Sequence, residues 1–384
     1  MNKNVWIISR YLYPEGDAGA IRSMSFAKMY NLLGYNVYMF GFGDESKGKL
    51  SQQICYQNFL IPRSNFFEKL SLAKKYNDII HSKILNNNKV KIADVIHVVD
   101  IPAKAMRALE KFAENNDIKL IHDSVEWYSA CEFKMGYISS GYILKNYLNK
   151  HVINSNYQVI AISSYLENYF VSKGINSIRI PVILDIKNTD KVKNVNDGFI
   201  NIGYAGAPGK KDSLDCIVRG YIESLHNNCR TRLHIIGVTY DKFISINKYS
   251  NIEKELIRNS VSFYGRVSHS KVVEILCKMN YTILVRPAEE RYAKAGFPTK
   301  VVESMSLGIP VICNYSSDLN KYLKDMVNSV IVEDNTVESV KKAMLKIQKV
   351  SYSEWENISY KARKTALDNF DYRNYISQLE LILK

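Results

Sequence analysis

The strongest constraint in this chain is a pattern of short apolar runs separated by helical periodicity, interrupted once by a polar stretch. Val5–Ser9 reads as a buried strand, followed by a loop from Arg10 to Gly19 and a helix from about Ala20 to Leu33. Ala20, Met24 and Ala27 share one face of that helix, Gly34 ends it, and Asn36–Phe40 is the next strand. A helix between two buried strands is the start of a parallel α/β sheet. Further strands fall at Ile54–Ile61, Val95–Val98, Lys119–His122, Gln158–Ile162 and Ser177–Ile180, and Ser163 and Ser164 cap a helix that ends near Gly174.

A second series opens at Phe199–Tyr204 and continues with strands at Leu233–Ile236, Val261–Tyr264, Tyr281–Val285, Val311–Asn314 and Ser329–Val332. Between the two series, Pro181 to Gly198 is polar, with Lys187, Asn188, Thr189, Asp190, Lys191, Lys193 and Asn194 and no apolar period. A chain of 384 residues exceeds one ordinary domain. The expected organisation is a doubly wound domain over 1–182, a hinge over 183–198, a second doubly wound domain over 199–371, and an amphipathic helix over 372–384.

Composition removes several classes. No apolar run approaches the roughly 20 residues of a membrane span. The apolar run after Met1 is too short for a signal peptide and is followed at once by Arg10 and Pro14, so a cytoplasmic protein is expected. Cys55, Cys131, Cys216, Cys229, Cys277 and Cys313 are scattered, without the spacing of a disulfide framework or a zinc site, and no metal is expected. The net charge of +14 fits nucleic acid, an anionic membrane surface, or drift in a chain rich in Lys, Asn, Ile and Tyr. Nucleic acid is disfavoured, because the basic residues are dispersed and no zinc-finger, RRM-like or KH-like signature is present. Membrane-surface attraction remains open. The segment 65–91, with Phe66, Phe67, Lys69, Lys74, Lys75, Lys83, Lys89 and Lys91, suits such a surface or a solvated helix face.

Residues 296–312 carry the most chemistry. They read as a tight turn, a helix of about two turns, a stop and a strand. Thr299 is the expected N-cap after Pro298, Gly308 ends the helix, and Pro310 prevents its continuation. Such a helix mouth favours an anion, through unpaired N–H groups and the positive end of the dipole. Glu303 lies one turn in and leans toward the mouth, placed to accept bonds from a sugar diol.

This stretch resembles the donor-site motif of retaining glycosyltransferases of family 4, whose usual form is a glutamate, a second one eight positions later, and a Gly-x-Pro-Val strand. Glu303 matches the second glutamate; Ala295 stands where the first is usual. Glu289, Glu290 or Lys294, or the backbone of Gly296 and Phe297, are left to replace it. The resemblance implies the GT-B fold, an α/β architecture of two doubly wound Rossmann-like domains facing each other across a cleft. It also implies a terminal helix that packs back toward the N-terminal domain. The implied activity is retaining, metal-independent sugar transfer from a nucleotide-diphosphate-sugar, UDP-linked by expectation, with no further cofactor. The acceptor would be a glycan, lipid-linked or protein molecule, in surface polysaccharide or glycoconjugate assembly near the inner face of the plasma membrane.

The resemblance assigns further residues. Gly16 and Gly19 occupy the glycine-bearing first loop that faces the donor diphosphate. His122, at the expected tip of a strand, would face the donor sugar, with Glu126 and Trp127 on the acceptor side, whereas His97 reads as structural. In the loop after Gly203-Tyr204, Gly206 precedes Lys211, which matches the lysine on the diphosphate; Ala207 stands where an arginine is common, and Lys210 could compensate. Arg266, Val267 and Arg286 border the base or a phosphate, and Phe297, Pro298, Thr299 and Lys300 form the diphosphate turn. The assigned catalytic set is His122, Lys211 and Glu303. Two rival readings are a non-catalytic nucleotide-sugar-binding protein in glycan assembly, motivated by Ala207 and Ala295, and an epimerase or phosphorylase of the same fold. The epimerase needs acid–base carboxylates that the sequence does not locate.

Overall fold

The computed structural model describes residues 3–14, 16–61, 69–86, 92–186, 198–206, 209, 211–227 and 230–384, and within 69–73 the backbone alone. Glu15, Phe66, Phe67, Lys89, Lys91, Ala207, Lys210, Cys229 and the polar run 187–197 lie outside the described residues. The chain divides into two compact units, Met1–Asp185 with Asp371–Lys384, and Ile186–Phe370.

The first unit is built on an 8-stranded sheet. Its strands are β1 (Asn4–Ser9), β2 (Asn36–Gly43), β3 (Ser46–Lys49), β4 (Ile54–Leu60), β5 (Val95–Val99), β6 (Lys119–Ser124), β7 (Tyr157–Ala161) and β8 (Ser177–Arg179). They lie in the order β3-β4-β2-β1-β5-β6-β7-β8. Every pairing is parallel except β3 with β4. Strand β3 escaped the sequence reading because Ser-Lys-Gly-Lys has no apolar alternation, and its lysines suit a sheet edge. Strand β6 runs on to Ser124 rather than ending at His122, and five of its six residues are buried.

The helix after β1 spans Ala18–Leu32, and Asp17 caps it by accepting from the N–H groups of Gly19 at 3.0 Å and Ala20 at 3.3 Å. Phe26 and Tyr30 from this helix join a core with Val5, Ile7 and Met39. Tyr372, Leu379 and Ile382 complete the same core, so the last stretch of the chain belongs to the first unit. The Tyr372 N–H donates to the Leu184 carbonyl at 3.0 Å, and Asp185 pairs with Lys28 at 2.6 Å and Arg373 at 2.8 Å. Ile183 and Leu184, within the stretch expected to be hinge, are buried in this unit.

Arg22 is the exception on that helix's inner face. Its guanidinium donates to both Asp123 oxygens, at 2.8 and 2.9 Å, to the Ile180 carbonyl at 2.9 Å, and to the Pro181 carbonyl. Burial works against the Asp123 carboxylate, but Arg22, with His97 beside it, holds it at about 2.

The second unit holds a 6-stranded, wholly parallel sheet. Its strands are β9 (Ile200–Ala205), β10 (Thr231–Ile236), β11 (Val261–Phe263), β12 (Tyr281–Leu284), β13 (Val311–Cys313) and β14 (Ser329–Ile331), in the order β11-β10-β9-β12-β13-β14. The chain winds outward from β9 to β11, then returns to β9's other side at β12. Strands β1 and β5 mark the same reversal in the first unit. Parallel sheets gather ligand groups at the carboxyl ends of such strand pairs. Among the described residues, no helix is long and apolar enough to cross a membrane.

Because Asp123 is sealed from water, removing its partner leaves an uncompensated buried charge. We expect Arg22→Met to cost about 3–5 kcal/mol, read as a lower urea midpoint at neutral pH. Arg22→Lys, which keeps the charge but loses the two-pronged geometry, should recover only part of it.

Candidate functional site

At the reversal point of the second unit, Gly206 leaves β9 and Arg286 leaves β12. The helix Thr299–Ser306 starts nearby, with Pro298 rather than Thr299 at its cap. Proline's fixed φ, here −76°, sets the approach, and Thr299 is already helical. No side chain caps this helix among the described residues. Leu307 closes its last turn, and Gly308 follows at φ 78°, where a residue with a Cβ would be strained.

Lys300, in the first turn, reaches over Gly206, where a Cβ would overlap its ammonium group. The ammonium lies 4.9 Å from the centre of the Tyr204 ring and 2.6 Å from Asp212 Oδ2. Arg286 Nε donates to Asp212 Oδ1 at 2.8 Å, and the Tyr204 hydroxyl donates to Oδ2 at 2.9 Å. Burial disfavours the Asp212 carboxylate, yet Arg286 and Lys300 hold it at about 2, so it is ionised near neutrality. Asn314 fixes Arg286 by accepting from its N–H at 2.9 Å and donating to its carbonyl at 2.7 Å. Lys211 directly precedes Asp212, and the Tyr292 hydroxyl donates to its carbonyl at 3.1 Å.

Glu303 sits one turn beyond Thr299. Burial pushes its carboxyl above the ordinary value, while His269 and Lys300 pull the other way. His269 opens the helix His269–Leu276, directly after Arg266, Val267 and Ser268. Gly265 adopts φ 62° and Gly237 φ 111°, and the Gly237 N–H donates to the Gly265 carbonyl at 2.7 Å, lacing together the loops after β10 and β11. Arg266 is exposed, whereas Val267 packs on Ile236, Ile275 and Ile309. Thus Lys211, Gly206, Arg286, Thr299, Lys300 and Glu303 belong to one unit at its switch point. Asp212 and His269 were not read from sequence; an acid after two lysines and a histidine after Gly-Arg-Val-Ser were the only signals.

One expectation here changes. Phe297 buries its ring against Tyr322 and Phe370, at 5.9 and 5.7 Å between centroids, so its side chain is core. Ala295 is fully buried at the end of the helix Arg291–Ala295, and the candidates to replace a glutamate there are Glu289 and Lys294, both exposed, and Glu290 at that helix's cap.

In the first unit, His122 does not stand at a strand tip. It lies inside β6, 1% exposed, with its ring 6.3 Å from that of Phe170 and, among the described residues, no hydrogen-bond partner for either ring nitrogen. Burial, then the nearby Lys145 charge, lowers its pKa to about 3, so the imidazole is neutral and packed. Trp127 is likewise buried; it donates to Asn146 Oδ1 at 3.0 Å and meets Tyr169 edge-on at 4.6 Å. Gly19 is required by the Tyr11 ring, and Gly16 by the Leu12 carbonyl and the Ala20 side chain, all of which an added Cβ would strike. Both glycines therefore serve internal close approach, and the Asp17 carboxylate already occupies the helix mouth, accepting from Gly19 itself.

A different group occupies this unit's switch point. Asp100 follows β5 at φ 48° and takes Arg10, which follows β1, at 2.7 Å and Lys145 at 3.3 Å. Glu126 and Tyr128 lie within electrostatic reach of Arg10. Burial, then the Glu126 and Asp100 carboxylates, push the Tyr128 phenol well above its ordinary value. Only Glu126 of this cluster was anticipated.

Two successive doubly wound parallel-sheet units are the architecture of the GT-B fold. Residues 186–365 match the model of the family Glycosyl transferases group 1. The chain is 19% identical over 236 residues to an uncharacterized glycosyltransferase of Methanocaldococcus jannaschii, and the match spans 59% of this chain and 58% of that protein. Among solved structures it resembles Anabaena HepE in complex with UDP and glucose, at 14% identity, TM-score 0.66 and 99% of each chain. It also resembles the sucrose-phosphate synthase of Thermosynechococcus elongatus, at 14% identity, TM-score 0.70, and 99% and 98% of the two chains.

A histidine held neutral in the fold but protonated when unfolded makes the unfolded state bind more protons between its two pKa values. Stability should therefore rise with pH from about 3 to the ordinary histidine value near 6.5. His122→Leu is expected to flatten that dependence in urea titrations across this range, which a solvent-facing catalytic histidine would not do.

Proposed function

We propose that this chain transfers a sugar from a UDP-sugar, with retention and without a metal, to a glycan, lipid-linked or protein acceptor in surface polysaccharide or glycoconjugate assembly in the cytoplasm. The observation that carries the reading is the convergence of Lys300 and Arg286 beside a helix mouth without a side-chain cap, at the switch point of the second sheet. The diphosphate accepts from the first N–H groups of that helix and from the ammonium groups of Lys300 and Lys211. Charge accumulates on the departing phosphate in the transition state, where fixed cations are worth most. Glu303 accepts from the ribose hydroxyls. Anabaena HepE, solved with UDP and with UDP-glucose, supports uracil as the base.

With His122 packed inside the sheet, no enzyme base is assigned to the acceptor. The anomeric C–O bond to phosphate breaks as the acceptor oxygen bonds to carbon on the same face, and the acceptor proton passes to the departing phosphate oxygen. We assign acceptor recognition to Arg10, Asp100, Glu126 and Tyr128, which offer both charges and a phenol. The competing reading, a nucleotide-sugar-binding protein without turnover, draws on the buried Ala295.

Release of nucleoside diphosphate from a panel of UDP-, GDP-, ADP-, CMP- and dTDP-sugars separates these readings. Turnover of a UDP-sugar, reduced about 10²–10³-fold by Lys300→Ala and strongly by Lys211→Ala or Glu303→Ala, is expected. Calorimetric binding without release, with and without candidate acceptors, would favour the binding protein. A second expectation concerns pH. Protonating Glu303 removes its acceptor role, so the donor KM should rise on acidification, starting at a higher pH than for an ordinary glutamate, and Glu303→Gln should abolish that rise.

A further inference from the structure

The segment after β6 presents an apolar surface with no role in sugar transfer as described. It comprises a turn, Gly136–Ile138, and a helix, Ser140–Tyr147. Its inner side is anchored: Phe133 meets Tyr128 at 5.5 Å and lies under Gly141, where a Cβ would strike its ring. Lys145 reaches Asp100, Asn146 holds Trp127, and Leu148 is buried. The outer side carries Met135, Tyr137, Ile138, Ile143, Leu144 and Tyr147, with Tyr137 and Ile138 75% and 70% exposed. Turn and helix form one surface, since Tyr137 meets Tyr142 edge-on at 5.4 Å. A contiguous exposed apolar surface of this kind marks an interaction site.

Charge selects the partner. From Phe133 to Leu166 the sequence has no carboxylate, while Lys134 and Lys150 flank the apolar side chains and are exposed. Arg107 adds a third exposed cation, its guanidinium 5.3 Å from the centre of the Tyr147 ring. The bordering acids have partners: Glu132 accepts from the Ser129 N–H at 2.8 Å, Glu167 faces Arg179 at 4.0 Å, and Glu110 and Glu114, on the helix of Arg107, accept from Asn154 and Asn156. A second copy docked face to face would oppose cation to cation without a counter-charge, which disfavours a homodimer here. Aliphatic side chains for the acyl boundary, tyrosines for the headgroup layer and flanking exposed cations match an anionic lipid surface.

We propose that residues 134–150 form a docking face for an anionic phospholipid bilayer. The face lies in the same unit as the acceptor residues assigned above, but the inference does not rest on the transfer reaction. The basic segment 65–91, expected from sequence for this purpose, is described only in part, and there Lys83 lies 5.7 Å from the centre of the Phe59 ring.

The test is co-sedimentation of the full chain with vesicles of phosphatidylcholine plus phosphatidylglycerol, against phosphatidylcholine alone, at low and high sodium chloride. Binding is expected only to the anionic vesicles and should weaken with salt. Ile143→Glu with Leu144→Glu should lower partitioning by about tenfold or more, as should Lys134→Glu with Lys150→Glu. Ile252→Glu, an equally exposed isoleucine in the other unit, should leave it unchanged. Circular dichroism and UDP calorimetry on each variant separate lost docking from lost folding or lost donor binding. Absence of vesicle binding, equal binding to neutral vesicles, insensitivity to both double variants, or a concentration-dependent dimer abolished by them would overturn the proposal.

Discussion

The first unit depends on one buried ion pair. Arg22 and Asp123 are both sealed from water, and each brings more than a partner charge. Arg22 ties the first helix to the carboxyl end of β6 and to the Ile180 and Pro181 carbonyls, where the chain has just left β8. Asp123 in turn faces His97 on β5, whose other nitrogen meets the Tyr30 hydroxyl at 3.0 Å. Four stretches of chain are thus registered by this one ion pair. The alternative, apolar side chains of similar volume, would pack as well but would leave the Ile180 and Pro181 carbonyls without this donor.

Most strand positions were legible because parallel strands buried on both faces announce themselves as apolar runs. What the runs do not reveal is where a strand stops once polar residues are buried within it. Asp123 and Ser124 read as lying beyond the strand, yet both are inside β6, since Arg22 neutralises the acid from a helix about a hundred positions away. No local signal marks that partnership. The same error moved His122 from the core to an imagined tip; the first-loop glycines, assigned to a ligand by resemblance, make close approaches to Tyr11 and Leu12 that the sequence does not reveal. In the second unit the reading fared better. Turn, helix, stop and strand at 296–312 are encoded by Pro298, Gly308 and Pro310 over a short span, so only the cap residue was misplaced.

Both units solve the problem of a charged switch point in the same way. Asp100 gathers Arg10 and Lys145 after β5, and Asp212 gathers Arg286 and Lys300 after β9. In each case a nearly buried carboxylate holds cations drawn from distant parts of the sequence. Each trio has a net charge of plus one, sparing the fold the repulsion of two neighbouring cations while keeping a positive site.

For the second unit this bears on how a diphosphate would be held. Two lysine or arginine side chains left alone at a sheet edge spread apart and stay hydrated, and ordering them costs side-chain entropy when a ligand arrives. Asp212 meets that cost in advance. Lys300 is drawn back over Gly206, where the missing Cβ gives it room, and Arg286 is fixed by Asn314 as well. The price is competition, because the same carboxylate repels an incoming anion. Replacing Asp212 would therefore act in two opposed directions, weaker positioning and weaker repulsion. A donor site tuned for turnover rather than retention is better served by the balance than by either extreme, since the product diphosphate must also leave.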